Sequence, residues 1–194
     1  MNTATKITMF RIFLIPAIVF TLLFPFNELG LMVKTVYIVG LPIKVTYLVA
    51  ATIFVIASIT DFVDGYIARK YNQITDLGKF LDPIADKLLV NITLIILTYF
   101  GLISPLITII LIGRDIIVDA LRMMAANKGV VIAARSFGKF KTAFQMIGIT
   151  LTLLHNIPFE LYGFSVDRIF MYLAVFFSVL SAFDYFEKSS ELFK

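Results

Sequence analysis

Apolar residues gather in six long runs separated by short polar connections, and the runs approach the roughly 20 residues a bilayer-spanning helix needs. The first runs from Ile7 to Phe24, with Lys6 before it and Arg11 and Pro16 inside it, and Phe24-Pro25-Phe26-Asn27 ends it. Pro16 is tolerable in a spanning helix because neighbouring groups re-satisfy the carbonyl it frees, and Arg11 lies near enough to the end to snorkel. Glu28 to Lys44 carries Gly30, Gly40, Pro42, Lys34 and Lys44 around a short Val/Tyr/Ile run and reads as an interfacial loop. The second run, Val45 to Thr60, is expected to continue as helix through Asp61 to Lys70. The third spans Asp82 to Phe100, the fourth Pro105 to Met124, the fifth Phe140 to Leu154 and the sixth Arg168 to Phe186. Backbone groups in lipid must be satisfied within the chain, which favours helices, and no alternating ten-residue segments suggest a barrel. The expectation is an all-α fold, a polytopic membrane protein built as one bundle of six transmembrane helices over residues 1–194.

Composition supports this: 60% of residues are hydrophobic and the mean hydropathy is +0.95, where a soluble chain is typically about 45 to 50% apolar. The net charge of +4 sits in the connections, so it reads as a topological signal and not as a nucleic-acid surface. Most Lys and Arg residues fall on the side shared by the two termini, against Lys34, Lys44 and Arg168 opposite, which places both termini and the Asp61–Lys87 stretch in the cytoplasm of a cell-membrane protein. With no cysteine, neither disulfides nor thiol chemistry enter. The first run lacks a small-residue cleavage site and is expected to be a retained helix.

The chemistry concentrates in DFVDGYIARKYNQITDLGKFLDPIADK, Asp61 to Lys87. Asp61 and Asp64 are three apart and share a helix face, which Gly65 and Ala68 continue. Asp82 and Asp86 are four apart and share a face of the following helix, so a hairpin between the two helices can aim four carboxylates into one pocket. Four ionised carboxylates beside lipid repel one another and resist desolvation unless cations join them. Oxygen-only ligands suit hard divalent ions such as Mg²⁺ or Mn²⁺, and two such ions about 4 Å apart can stabilise both the entering and the leaving oxygen of a phosphoryl transfer. Gly65, Ala68 and Gly78 leave room for a flat or bulky group, and Arg69 is a planar cation suited to phosphate oxygens. A set of helix caps and surface ion pairs is the bland alternative for the acids.

The pattern Asp61-x-x-Asp64-Gly65-x-x-Ala68-Arg69, then eight residues to Gly78-x-x-x-Asp82-x-x-x-Asp86, resembles the complete signature of the CDP-alcohol phosphotransferase family. Such enzymes have six spanning helices, are usually homodimers, and transfer a phosphatidyl or similar group from a CDP-linked donor to an alcohol. The resemblance implies that Asp61, Asp64, Asp82 and Asp86 hold two divalent ions against the donor diphosphate. It implies further that Asp86 is the base that deprotonates the attacking hydroxyl, and that Gly65, Ala68 and Arg69 line the cytidine diphosphate site.

Outside the signature, Thr8-x-x-Arg11 with Pro16, Gly113-Arg114-Asp115, Arg122 and Gly138-Lys139-x-Lys141-Thr142-x-x-Gln145 resemble the branch of that family whose donor is CDP-diacylglycerol and whose acceptor is sn-glycerol 3-phosphate. Members that use phosphatidylglycerol as acceptor and make cardiolipin share several of these motifs, so both readings stand. Arg114 lies well inside an apolar run, where an arginine is costly and faces the bundle interior. Arg135, Lys139 and Lys141 cluster where the fifth helix leaves the cytoplasm, and an acceptor bearing a phosphate needs such cations. Against this, Arg114 can simply pair with Asp115 or Asp119, and the cluster can be topological only. The sole histidine, His155, is expected at the outer end of the fifth helix, far from the acids. A divalent-cation transporter is the reading from another class; it calls for mid-membrane acids on several helices and inverted repeats, and the sequence has neither.

Overall fold

The structure, a computed structural model, describes residues 3–70, 76–129 and 136–190, with side chains undescribed at 3–7, 61–70, 76–80, 82–83, 136 and 188–190. It is a bundle of six helices: α1 (Thr3–Leu23), α2 (Val45–Lys70), α3 (Asp76–Tyr99), α4 (Pro105–Asn127), α5 (Ser136–Leu153) and α6 (Val166–Ser190). Val166–Glu187 is long and apolar enough to cross a bilayer, and Thr8–Leu23 and Val45–Thr60 are shorter apolar stretches.

The expected helices are present, and several begin or end outside their apolar runs. Helix α2 continues through the acidic signature to Lys70, as its spacing predicts, but α3 begins at Asp76 instead of Asp82 and α5 at Ser136 instead of Phe140. Hydrophobicity marks which part of a helix meets lipid or core; backbone hydrogen bonding carries the helix onward into polar surroundings. Pro105 opens α4 at its first turn, where the missing N–H costs nothing.

The segment read as a loop between α1 and α2 contains an antiparallel hairpin, β1 (Thr35–Ile38) and β2 (Leu41–Lys44), with Thr35 opposite Lys44 and Ile38 opposite Leu41. Val39 and Gly40 make the turn with φ of 51° and 83°. Positive φ at both central positions gives the primed turn that matches strand twist, at a steric cost for the β-branched Val39. Ile43 is buried and anchors the hairpin, and the Val45 amide donates to the Lys34 carbonyl at 3.0 Å as the chain enters α2.

Helix α1 packs on α2 and α3, α5 on α6, and α4 on α6. The α1 and α2 faces meet through Ile15, Ile18 and Leu22 against Ala50, Ala51, Phe54 and Ala57, where alanines permit close approach. Arg11 does not snorkel: together with Thr8 it is fully buried, because α1 turns that polar face into the bundle. Between α5 and α6, a Cβ on Gly148 would lie 2.7 Å from Met171 Sδ and 3.3 Å from the Met171 amide nitrogen, so only glycine permits this approach. Helical hydroxyls bond back to carbonyls one turn earlier: Thr21 to Ala17, Ser58 to Phe54, Thr93 to Leu89, Thr142 to Gly138, Thr150 to Met146 and Thr152 to Gly148, at 2.7 to 3.1 Å.

Candidate active site

A cavity of about 610 Å³ opens between α2, α3, α4 and α5 at the end of the bundle that carries the signature. Its wall includes Asp86, Arg114, Asp115, Arg122, Lys139, Lys141 and Gln145, all singled out from the sequence, beside Ser58 of α2. Helices α2 and α3 pack together, and Ser58 lies three residues before Asp61 in the unbroken α2, so the signature begins on the helix face that borders the cavity. The side chains of Asp61, Asp64, Ala68, Arg69 and Asp82 lie outside the described residues, as do the surroundings of Gly65 and the whole of Arg135.

One carboxylate organises the described cations. Asp115 accepts from Arg114 Nη1 through Oδ1 at 3.0 Å and from Lys141 Nζ through Oδ2 at 2.6 Å. Arg114 also donates from Nε to the Ser178 carbonyl at 3.3 Å and from Nη2 to Ser181 Oγ on α6. The side chains of this trio are 6 to 12% exposed. Of the two partners the sequence offered to Arg114, the structure selects Asp115; Asp119 instead accepts from Lys87, the neighbour of Asp86. The trio carries one net positive charge, and both cations keep donor capacity beyond their bonds to Asp115. Pairing and ligand binding are therefore compatible: the pair to Asp115 fixes where the cations stand, and the surplus charge can receive an anion. Arg122 also lines this cavity but pairs on α6, donating from Nε to Tyr185 Oη at 3.2 Å and lying 4.9 Å over that ring. Lys139 is exposed at the cavity rim.

The donor chemistry suits a hard divalent cation. The helix pair contributes carboxylates at positions 61, 64, 82 and 86, the chain has no cysteine, and His155 lies at the opposite end of the bundle in a second cavity with Asn156, Glu160 and Arg168. Among the described residues no group of three His, Cys, Asp or Glu forms a metal site.

A family model described as CDP-alcohol phosphatidyltransferase matches residues 1–180. The chain belongs to that family. Among CDP-alcohol phosphatidyltransferases, it is 46% identical to the CDP-diacylglycerol–glycerol-3-phosphate 3-phosphatidyltransferase of Bacillus subtilis, over 100% of this chain and 97% of the relative. The proteins of the same name from Mycoplasma genitalium and Rickettsia typhi are 34% and 33% identical, over 92% and 99% of this chain and 79% and 99% of their own length. The family is membrane-associated, in keeping with the apolar α6.

Two features of the cavity escaped the sequence reading. Lys87 and Asp119 form a cross-helix pair between α3 and α4, and Asn91 stands in the wall although no role was assigned to it. Asn91 had a usable signal, since it interrupts the apolar run LLVNITLIIL, and a polar side chain in such a run usually faces the bundle interior. Lys87 had none, because a lysine at the end of an acidic signature looks like any topological cation.

Proposed function

We propose that this chain transfers a phosphatidyl group from CDP-diacylglycerol to sn-glycerol 3-phosphate, giving phosphatidylglycerophosphate and CMP. The full-length similarity to proteins named for that reaction supports donor and acceptor together. The observation that carries the acceptor is the cavity that holds Asp86 beside Arg114 and Lys141, a base candidate next to cations with charge to spare. An uncharged alcohol needs no such cations.

In this reading Asp86 takes the proton of the acceptor's terminal hydroxyl. The oxygen forms a bond to the phosphorus that bears diacylglycerol, the bond from that phosphorus to the bridging oxygen breaks, and CMP leaves with the electron pair. Arg114 and Lys141, with Lys139 and Arg135 at the rim, orient the acceptor phosphate, while Gly65, Ala68 and Arg69 receive the cytidine diphosphate. Two divalent ions, Mg²⁺ or Mn²⁺, would be held by Asp61, Asp64, Asp82 and Asp86 and supply positive charge to the entering and leaving oxygens. A groove of about 390 Å³ between α2 and α5, lined by Val55, Ile59, Ile147 and Leu151, shares Ser58 and Met146 with the larger cavity. It offers the donor's acyl chains a sideways path from the leaflet. Residues 1–194 act as one domain whose six helices span the cell membrane, with both termini and the site in the cytoplasm, and the protein works as a homodimer.

Purified protein given CDP-diacylglycerol with each acceptor in turn tests this. CMP release that depends on glycerol 3-phosphate, is lost on chelation and returns with Mg²⁺ or Mn²⁺ supports the reading; release that depends on phosphatidylglycerol would make the chain a cardiolipin synthase. Asp86→Asn should abolish release while donor binding survives, and a fully active variant removes the base assignment.

A further inference from the structure

Two buried amide atoms in the cavity wall have no hydrogen-bond partner among the described residues: Asn91 Oδ1 on α3 and Gln145 Nε2 on α5. Gln145 is only 1% exposed, Asn91 is half-buried, and Val90, Val118 and Met146 line the same cavity. A buried polar atom without a partner costs about 1 to 3 kcal/mol, so a cavity that keeps two of them in its wall is shaped for something that binds both. One acceptor atom and one donor atom on facing helices complement a hydroxyl group, which donates one hydrogen bond and accepts others.

Position along the helices says which hydroxyl. On α5, Gln145 follows Lys141 by four residues, on the same face and about 6 Å further into the bundle. On α3, Asn91 follows Asp86 by five residues, about 7.5 Å further in. Each helix thus presents a charged group near the cytoplasmic rim and an amide roughly one turn deeper. A short acceptor held at its two ends, its attacking hydroxyl at Asp86 and its phosphate at Lys141 and Arg114, turns its middle carbon toward the amides.

We propose that Asn91 and Gln145 bind the secondary hydroxyl of the acceptor and so select a vicinal diol phosphate over a simple hydroxyalkyl phosphate. This rests on the transfer to glycerol 3-phosphate proposed above. The same polar chemistry could come from the ribose of the donor, and the experiment separates the two sources.

CMP release is measured with sn-glycerol 3-phosphate and with 3-hydroxypropyl phosphate, which lacks only the secondary hydroxyl, and the donor arm compares CDP-diacylglycerol with its 2′-deoxycytidine counterpart. The wild type is expected to favour glycerol 3-phosphate by about tenfold or more in kcat/KM, the worth of one well-made buried hydrogen bond. Gln145→Leu and Asn91→Ala should each lower kcat/KM for glycerol 3-phosphate by about tenfold, chiefly through KM, and leave 3-hydroxypropyl phosphate within about twofold. A wild type that does not discriminate between the two acceptors overturns the proposal whatever the variants do. So do variants that slow both acceptors equally, as lost packing would, and variants whose discrimination moves only in the donor arm. A wild type that ignores glycerol 3-phosphate altogether is a different failure, that of the transfer reaction itself.

Discussion

Asp115→Asn tests how the cation pair is held. The substitution keeps the shape of the side chain and removes one negative charge lying 3.0 Å from Arg114 and 2.6 Å from Lys141. At an effective dielectric constant of about 20, each contact represents about 5 to 6 kcal/mol of gross attraction, much of it offset by desolvation. Removing one member of a buried ionic group commonly costs about 3 to 5 kcal/mol, because the remaining charges are left uncompensated. Here two cations, 12% and 6% exposed, would face each other with no anion between them. That loss is a large part of the roughly 5 to 15 kcal/mol that holds a typical domain folded. The informative assay is denaturation in detergent with and without glycerol 3-phosphate. The unliganded variant should unfold at clearly lower temperature or denaturant, and the ligand should raise its midpoint more than that of the wild type, since the acceptor phosphate supplies the missing negative charge. A variant as stable as the wild type would show that Asp115 contributes little to holding the cations. A ligand shift no larger than in the wild type would place the acceptor phosphate elsewhere.

Gly148→Ala should destabilise the α5–α6 contact by about 1 to 3 kcal/mol, because Met171 Sδ can move aside but the Met171 amide at 3.3 Å cannot; Met171→Ala should restore part of the loss, measured by the same denaturation assay. His155, in the connection beyond α5, is held below the usual imidazole range by burial and then by Lys44, against the opposing pull of Glu160. Its folded form binds a proton less readily than its unfolded form, so its contribution to stability is intact above the ordinary imidazole pKa of about 6.5 and is lost as pH falls toward the folded value. His155→Asn, which tolerates the positive φ at this position, should flatten that acid-side slope in a pH series of melting temperatures.

Much of this arrangement was readable from residue order, and the parts that were not have physical reasons. The continuation of α2 through Asp61 and Asp64 followed from the three-residue spacing, which makes chemical sense only on a helix. The hairpin at 35–44 stayed hidden because its turn is Val39-Gly40, and a β-branched residue at positive φ is what turn chemistry argues against. Arg11 looked like a snorkelling cation because sequence gives depth along a helix more readily than the direction a face takes; here the direction is inward. For Arg114 the sequence posed a choice between a structural pair and an anion site. The structure answers that one aspartate serves two cations, a stoichiometry that local spacing on α4 does not reveal, since Lys141 arrives from α5.

The threonine and serine hydroxyls that bond back along their own helices bear on the order of assembly. A helix that already answers its hydroxyls internally needs no neighbour to satisfy them in apolar surroundings, so these segments can form before they pack. The charge that one helix cannot balance alone is that of Lys141, which reaches the Arg114–Asp115 pair of α4 from α5. Formation of α4 thus precedes the arrival of Lys141 from α5, and closure of this cluster is left to the last third of the chain.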